Sequence, residues 1–258
     1  MAEAADDRSV PVIADAFLGG RLLLRQPAVG HRCGTDAVLL AAAAPSDFCG
    51  LAIDVGAGVG AAGLALAVTR PGARISLLEN DPYIAGLARA NLLQNKLAGR
   101  GHVVEADLLS RANRRGAGLQ DESAGLVITN PPFLDPSRAR LSPDPRRRRA
   151  HAMLPAEGTL AAWIVASLAL VAPGGLFILI HPPDALPVIL QTLAGRAGGI
   201  AVLPVYPRRE TKAKRILVRG KKGSRAPLSI APPLVLHDGE GFTEAADAIH
   251  KGMATIEW

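Results

Sequence analysis

Leu51-Ala52-Ile53-Asp54-Val55-Gly56-Ala57-Gly58-Val59-Gly60 decides the fold. An apolar run of strand length passes directly into a glycine-rich turn, and the helical pattern Ala61 to Thr69 follows. Glycines at 56 and 58 allow a tight turn and let the backbone approach a nucleotide-like ligand at the carboxyl end of the strand. Outward from this unit, strand-length apolar runs alternate with longer helical patterns, as in a parallel sheet covered on both faces. The expected strands are Leu51 to Val55, Arg74 to Glu79, His102 to Glu105, Leu126 to Thr129, Gly175 to Ile180, Ala201 to Tyr206 and Arg215 to Arg219. The expected helices are Ala61 to Thr69, Pro82 to Gln94, Pro155 to Val171 and Pro183 to Ala194, with Pro at early positions and Gly or Pro after several ends. The last two strands are joined only by Pro207 to Lys214, too little for a crossover helix, so they are predicted to be antiparallel neighbours, with Pro204 suited to an edge. The predicted fold class is therefore α/β: a Rossmann-like, seven-stranded, mostly parallel sheet with helices on both faces.

Ligands of open α/β sheets bind beyond the carboxyl ends of the strands, and the acidic residues fall there. Glu79 ends the second strand, where a carboxylate can accept both ribose hydroxyls of a dinucleotide or of S-adenosylmethionine. Asp107, after the third strand, adds a carboxylate within reach of an adenine amino group. Each has a plainer reading, Glu79 as a surface acid beside Asn80 and Asp81, and Asp107 as the cap of the turn that follows. The glycine pattern also satisfies a loose dinucleotide fingerprint, so NAD competes until the fourth strand is considered.

That strand ends in Asn130-Pro131-Pro132-Phe133, which brings together an amide, two prolines and an aromatic ring. An exocyclic base amine is a poor nucleophile because its lone pair is delocalised into the ring. An enzyme must hold both hydrogens with acceptors and turn the lone pair toward a methyl donor. The Asn130 side-chain oxygen and the Pro131 carbonyl suit that task. The prolines stiffen the loop, and Phe133 offers a face for a flipped base. The plainer reading is a Pro-rich loop closing a strand with a core Phe. The third acid together with this element favours S-adenosylmethionine over NAD.

The bulk properties narrow the field. A chain of 258 residues that is 49% apolar buries a full core, long enough for one elaborated α/β domain. The longest apolar stretch, Leu160 to Ala172, falls short of the ~20 residues that cross a bilayer. The acidic N-terminus, Met1 to Asp7, is unlike a secretory signal, so a soluble, cytoplasmic protein without membrane partners is expected. The two cysteines and six scattered histidines lack ligand spacing, and no metal is predicted. A net charge of +6 favours a polyanionic partner. Arg138, Arg140 and Arg146, Arg147, Arg148 and Arg149 crowd the loop after Phe133, and Arg208, Arg209, Lys212, Lys214 and five further cations crowd a later stretch. Charge runs are often merely solvated, but the adjacency of the first cluster to the proposed chemistry points to RNA or DNA.

Before the core, Ala16 to Leu24 places a glycine pair between apolar residues and supports a hairpin. With the loop Val29 to Asp36 and a helix from Ala37 to Ala44, it would form a small N-terminal cap over residues 1–45, leaving 46–258 as the catalytic domain. Thr35 or Asp36 is placed to N-cap that helix.

The loop from Asp54 through Gly56, Gly58 and Gly60, with Glu79, Asp107 and Asn130 to Phe133 in order, resembles the class I S-adenosylmethionine-dependent methyltransferases that methylate amino groups, over residues 51 to about 220. Gly34-Thr35-Asp36-Ala37-Val38-Leu39-Leu40 and the tail Ala213 to Val218 leading to Pro233 to His237 are similar to the bacterial family that methylates N6 of the adenine beside the anticodon of valine tRNA. The resemblance implies that the glycines pass near the methionine portion of the cofactor, that Glu79 holds its ribose, that Asp107 approaches its adenine, and that Asn130 to Phe133 hold the target. It implies a tRNA partner. That family often has Tyr where this chain has Phe133, and Phe there also occurs in guanine-N2 methyltransferases of ribosomal RNA. Methylation of guanine N2 or of a protein glutamine, and a nucleic-acid-binding module without catalysis, stay open as alternatives.

Overall fold

The computed structural model describes residues 11–29, 33–132 and 160–258. Phe133, Arg138, Arg140, the cluster Arg146, Arg147, Arg148 and Arg149, and the beginning of the helix expected from Pro155 lie outside the described residues.

The parallel heart of the sheet is built from β3 (Gly50–Val55), β4 (Ala73–Glu79), β5 (Gly101–Glu105), β6 (Ala124–Thr129) and β7 (Val171–His181). Two long strands, β8 (Ala197–Tyr206) and β9 (Arg215–Lys222), complete it on one side. The order runs β8-β9-β7-β6-β3-β4-β5, with β9 antiparallel to both β7 and β8 as the short connection demanded. All seven expected strands are present. Two strands of two residues each, β10 (Ser229–Ile230) and β11 (Leu234–Val235), extend the sheet to nine. They pair with Ala201-Val202 and Val205-Tyr206 of β8 and step over Pro204, which has no N–H to donate.

Helices α2 (Ala61–Thr69) and α3 (Pro82–Gln94) have the expected bounds. Asp81 caps α3 by accepting from the N–H groups of Tyr83 and Ile84, and Pro82 enters at the first helical position. A one-and-a-half-turn α4 (Arg111–Gly116) follows β5. The described part of the next helix, α5 (Leu160–Leu170), ends one residue before the expected Val171. The N–H groups of Glu122 and Ser123 take its last carbonyls at Ala169 and Leu170, and Val171 is claimed by Ala124 of β6. The segment expected as a helix from Pro183 splits into a 3-10 turn, Pro183–Ala185, and α6 (Leu186–Leu193).

The N-terminal hairpin, β1 (Val12–Phe17) and β2 (Leu22–Pro27), turns through Leu18–Gly20. Asn91 of α3 and Asn95, which caps the end of that helix, hold its edge: Asn91 exchanges hydrogen bonds with the backbone of Arg25, and Asn95 with that of Leu23. Leu22, Leu24 and Leu39 share one buried core with Leu64, Leu77 and Ile178, so the hairpin and α1 (Thr35–Ala42) pack onto the sheet. The N-cap of α1 is Gly34, against the expectation of Thr35 or Asp36. Both side chains are drawn to distant partners instead, Thr35 to His250 and Asp36 to Arg215. The tail adds a hairpin, β12 (His237–Asp238) with β13 (Gly241–Phe242), and α7 (Glu244–His250). The N–H of Ile256 and the indole of Trp258 then cap the carbonyls of Ala42 and Ala43 at the end of α1.

Candidate active site

β3 delivers the chain to the glycine loop at the carboxyl edge of the sheet. Gly56 has φ +67° and Gly60 has φ +89°, both in the left-handed region, and a Cβ at Gly56 would stand 2.8 Å from Cζ2 of Trp163. At Gly60 a Cβ would press on Leu77, so the start of α2 packs against β4 without a side chain between them. A Cβ at Gly58 would meet nothing within 4 Å, so an outside group can approach the backbone there. The loop is pinned by Ala57 N–H to Leu78 O (2.9 Å) and by the Asn91 amide to Val59 O (3.0 Å).

Two carboxylates organise it. Asp54 is buried and accepts from Gly63 N–H at 2.8 Å. Burial pushes its carboxyl up to about 7, the hydrogen bond from Gly63 opposes that rise, and the charge of Glu79 adds to it. Glu79 accepts from Gly58 N–H through one oxygen (2.8 Å) and from the N–H groups of Asn80 and Asp81 through the other (2.9 and 3.0 Å). Its pKa is also raised, by burial first, against the pull of those three donors. Asp107 is exposed and accepts from Leu109 N–H at 2.9 Å, so it does cap its turn while lying at the end of β5.

At the end of β6, Thr129 donates to Val55 O (2.8 Å) and accepts from the indole N–H of Trp163 (2.9 Å). The Trp163 ring thus spans from the strand before Asn130 to Gly56. Nothing in the sequence distinguished Trp163 from a core aromatic of an apolar helix. Pro131 is buried, and the side-chain oxygen of Asn130 is buried without a hydrogen-bond partner among the described residues. A buried acceptor left unsatisfied costs about 1–3 kcal/mol, which makes Oδ1 a place where a donor from outside belongs. The structure therefore brings Asp54, Gly56, Gly58, Gly60, Glu79, Asp107, Asn130, Pro131 and Pro132 to one edge of the sheet. Arg208, Arg209, Lys212 and Lys214 are all exposed on the β8 to β9 connection, at the same edge but beyond β7 and β9.

The residues fit S-adenosylmethionine: a carboxylate at the end of β4 for hydroxyl donors and an open glycine backbone at Gly58. Comparison with known proteins agrees. The methyltransferase small domain family matches residues 32–176. The tRNA1(Val) (adenine(37)-N6)-methyltransferase of Serratia proteamaculans is 30% identical over 207 residues, covering 77% of this chain and 76% of that protein. The enzyme of the same name from Erwinia tasmaniensis is 34% identical over 114 residues, and the chain spans only 44% of its length. Among solved structures, a predicted O-methyltransferase from Agrobacterium tumefaciens is 34% identical with a TM-score of 0.71, covering 86% of this chain and 98% of that one. P. horikoshii TYW2 in complex with MeSAdo shares the fold at 16% identity and a TM-score of 0.54, covering 84% of this chain and 73% of that one. The chain belongs to the methyltransferase small domain family and is a class I S-adenosylmethionine-dependent methyltransferase.

Proposed function

We propose that this methyltransferase acts on an exocyclic amino group of RNA, N6 of the adenine beside the anticodon of valine tRNA. The observation that carries the reading is the buried, unsatisfied side-chain oxygen of Asn130 at the edge of β6. The activity for which the Serratia and Erwinia relatives are named supports the base and the RNA.

The cofactor supplies an electrophilic methyl group when bound. Glu79 would hold its ribose hydroxyls and Asp107 would face its adenine, while Asp54 holds the glycine loop through Gly63. Asn130 Oδ1 and the Pro131 carbonyl accept the two hydrogens of the target amine, which turns its lone pair out of conjugation and toward the methyl group. Phe133 stacks on the flipped base, while the Arg146 to Arg149 cluster, Arg208, Arg209, Lys212 and Lys214 bind phosphates. No strong base is needed, because the amine becomes acidic as it is alkylated and passes its proton to the carbonyl acceptors and water. A hydroxyl target, as the name of the Agrobacterium protein would have it, offers one hydrogen and needs a base to remove it; a pair of neutral carbonyl acceptors serves an NH2 group better.

The test is tritium transfer from labelled S-adenosylmethionine to total tRNA, ribosomal RNA, DNA and protein extract, followed by nucleoside and amino-acid analysis. N6-methyladenosine in tRNA is the expected product. N2-methylguanosine in ribosomal RNA or methylglutamine in protein would overturn the substrate, and no label despite measured cofactor binding would overturn catalysis.

A further inference from the structure

Beside the basic connection lies a cavity of about 180 Å³ that the proposed chemistry leaves unused, lined by Asp36, Leu39, Val205, Pro207, Arg215 and Leu236. Its walls are apolar on two sides, and its polar end is the Asp36 to Arg215 ion pair at 2.7 Å, with Lys214 alongside. This end of the cavity therefore carries both a carboxylate and a guanidinium, the two kinds of group that hydrogen-bond to nucleobase edges. Next to the cavity stand three stacked rings, His237, Phe242 and His250, with centroids 4.9 and 4.2 Å apart and planes within 19° and 21°. The stack adjoins the cavity at two places. His250 reaches the lining residue Thr35 (3.2 Å), and His237 directly follows the lining residue Leu236. It is also tied to the basic connection: Leu236 N–H donates to Tyr206 O and His237 N–H to Pro207 O, immediately before Arg208 and Arg209. Phe242 lies between the two imidazoles and backs both, so the stack turns toward a ligand only the faces of His237 and His250 that point away from it.

Position separates this place from the target site. Neighbouring strands lie about 4.8 Å apart, so the wall of the cavity formed by β8 and β9 stands two to three strands, on the order of 10–14 Å, from β6. That distance is too long for the flipped base and suits a neighbour along the same strand. Aromatic rings beside exposed cations are the combination that single-stranded nucleic acid uses, bases on the rings and phosphates on the cations.

We infer that the cavity and the His237, Phe242, His250 stack form a second base site, which holds an unpaired nucleotide flanking the methylated one. The inference rests on the RNA reading above, and its test is arranged so that the two fail differently. The full chain is assayed on the methylated RNA and on copies in which each nucleotide flanking the mapped methylation position is made abasic. For the native protein, one abasic copy is expected to raise KM for RNA about tenfold with kcat nearly unchanged, the size expected of one base stacked on an aromatic side chain. Phe242→Ala and His237→Ala should raise KM similarly on intact RNA and lose their sensitivity to the abasic position, and Phe242→Trp should recover it. Thermal unfolding and S-adenosylmethionine affinity of each variant establish that the fold and cofactor site are intact; should Phe242→Ala unfold, His237→Ala and Phe242→Trp carry the test. Variants that keep native KM, or that stay sensitive to the abasic position, overturn the second base site while leaving the RNA reading intact. Absence of transfer to any RNA by the native protein overturns both.

Discussion

The two halves of the sheet edge treat polar groups in opposite ways. Around β3 and β4 they are satisfied from within: Asp54 by Gly63, and Glu79 by Gly58, Asn80 and Asp81. At Asn130 and on the β8 to β9 connection some are left open, with Asn130 Oδ1 buried and unpaired among the described residues and four cations exposed. The first half is held together by the chain's own hydrogen bonds. The second half is completed by whatever binds. Cofactor affinity and substrate turnover should therefore respond to different residues.

The sharpest break in that contrast is Asn130→Ala. It should lower methyl transfer by about two to three orders of magnitude or more, while calorimetric affinity for S-adenosylmethionine changes only a few fold. Loss of cofactor affinity in that variant, or full activity, would show that the two halves are not separable. Next comes Gly56→Ala, which meets both left-handed backbone and the Trp163 ring. A cost of about 2–4 kcal/mol in denaturant unfolding is expected, with cofactor binding lost. Gly58→Ala sharpens the point: its methyl group enters open space, so stability should fall by only about 1–2 kcal/mol while affinity still drops.

A smaller effect comes from Asp54. Its folded pKa of about 7 stands above the ordinary value near 3.8, so the folded protein holds a proton that the unfolded chain releases between those values. Its contribution is fully present below about pH 4 and is lost as pH rises toward 7, with a slope of at most ~1.4 kcal/mol per pH unit. Asp54→Asn should flatten that part of the stability profile measured by urea unfolding. The least effect belongs to the exposed cations. Arg208→Ala, Arg209→Ala, Lys212→Ala and Lys214→Ala should each weaken RNA binding severalfold and reduce the slope of log affinity against log salt by ~1. An unchanged slope would take that connection out of the interface.

What the sequence made legible follows the same division. The glycine loop, Asp54 and Glu79 are local, because a strand, a turn and a helix within a few residues fix where each points. Trp163 was invisible: it lies 34 residues from its partner Thr129, inside a helix whose composition reads as ordinary core. Thr35 and Asp36 were misread for a related reason. A helix start favours such residues as caps, but partners 215 and 179 residues away compete for their side chains and win, leaving Gly34 at the cap. The strands β10 to β13 have two residues each, too short for any alternation to register, and depend on β8 and on one another for their shape.

Pro204 carries a last consequence. A ten-residue apolar strand at the border of a sheet invites another molecule to add to it, and β8 is such a strand. Here two short segments occupy the border on either side of a residue that has no N–H to offer, so no uninterrupted ladder of donors and acceptors faces outward. The β8 border of the sheet thus offers a second molecule no continuous strand to extend.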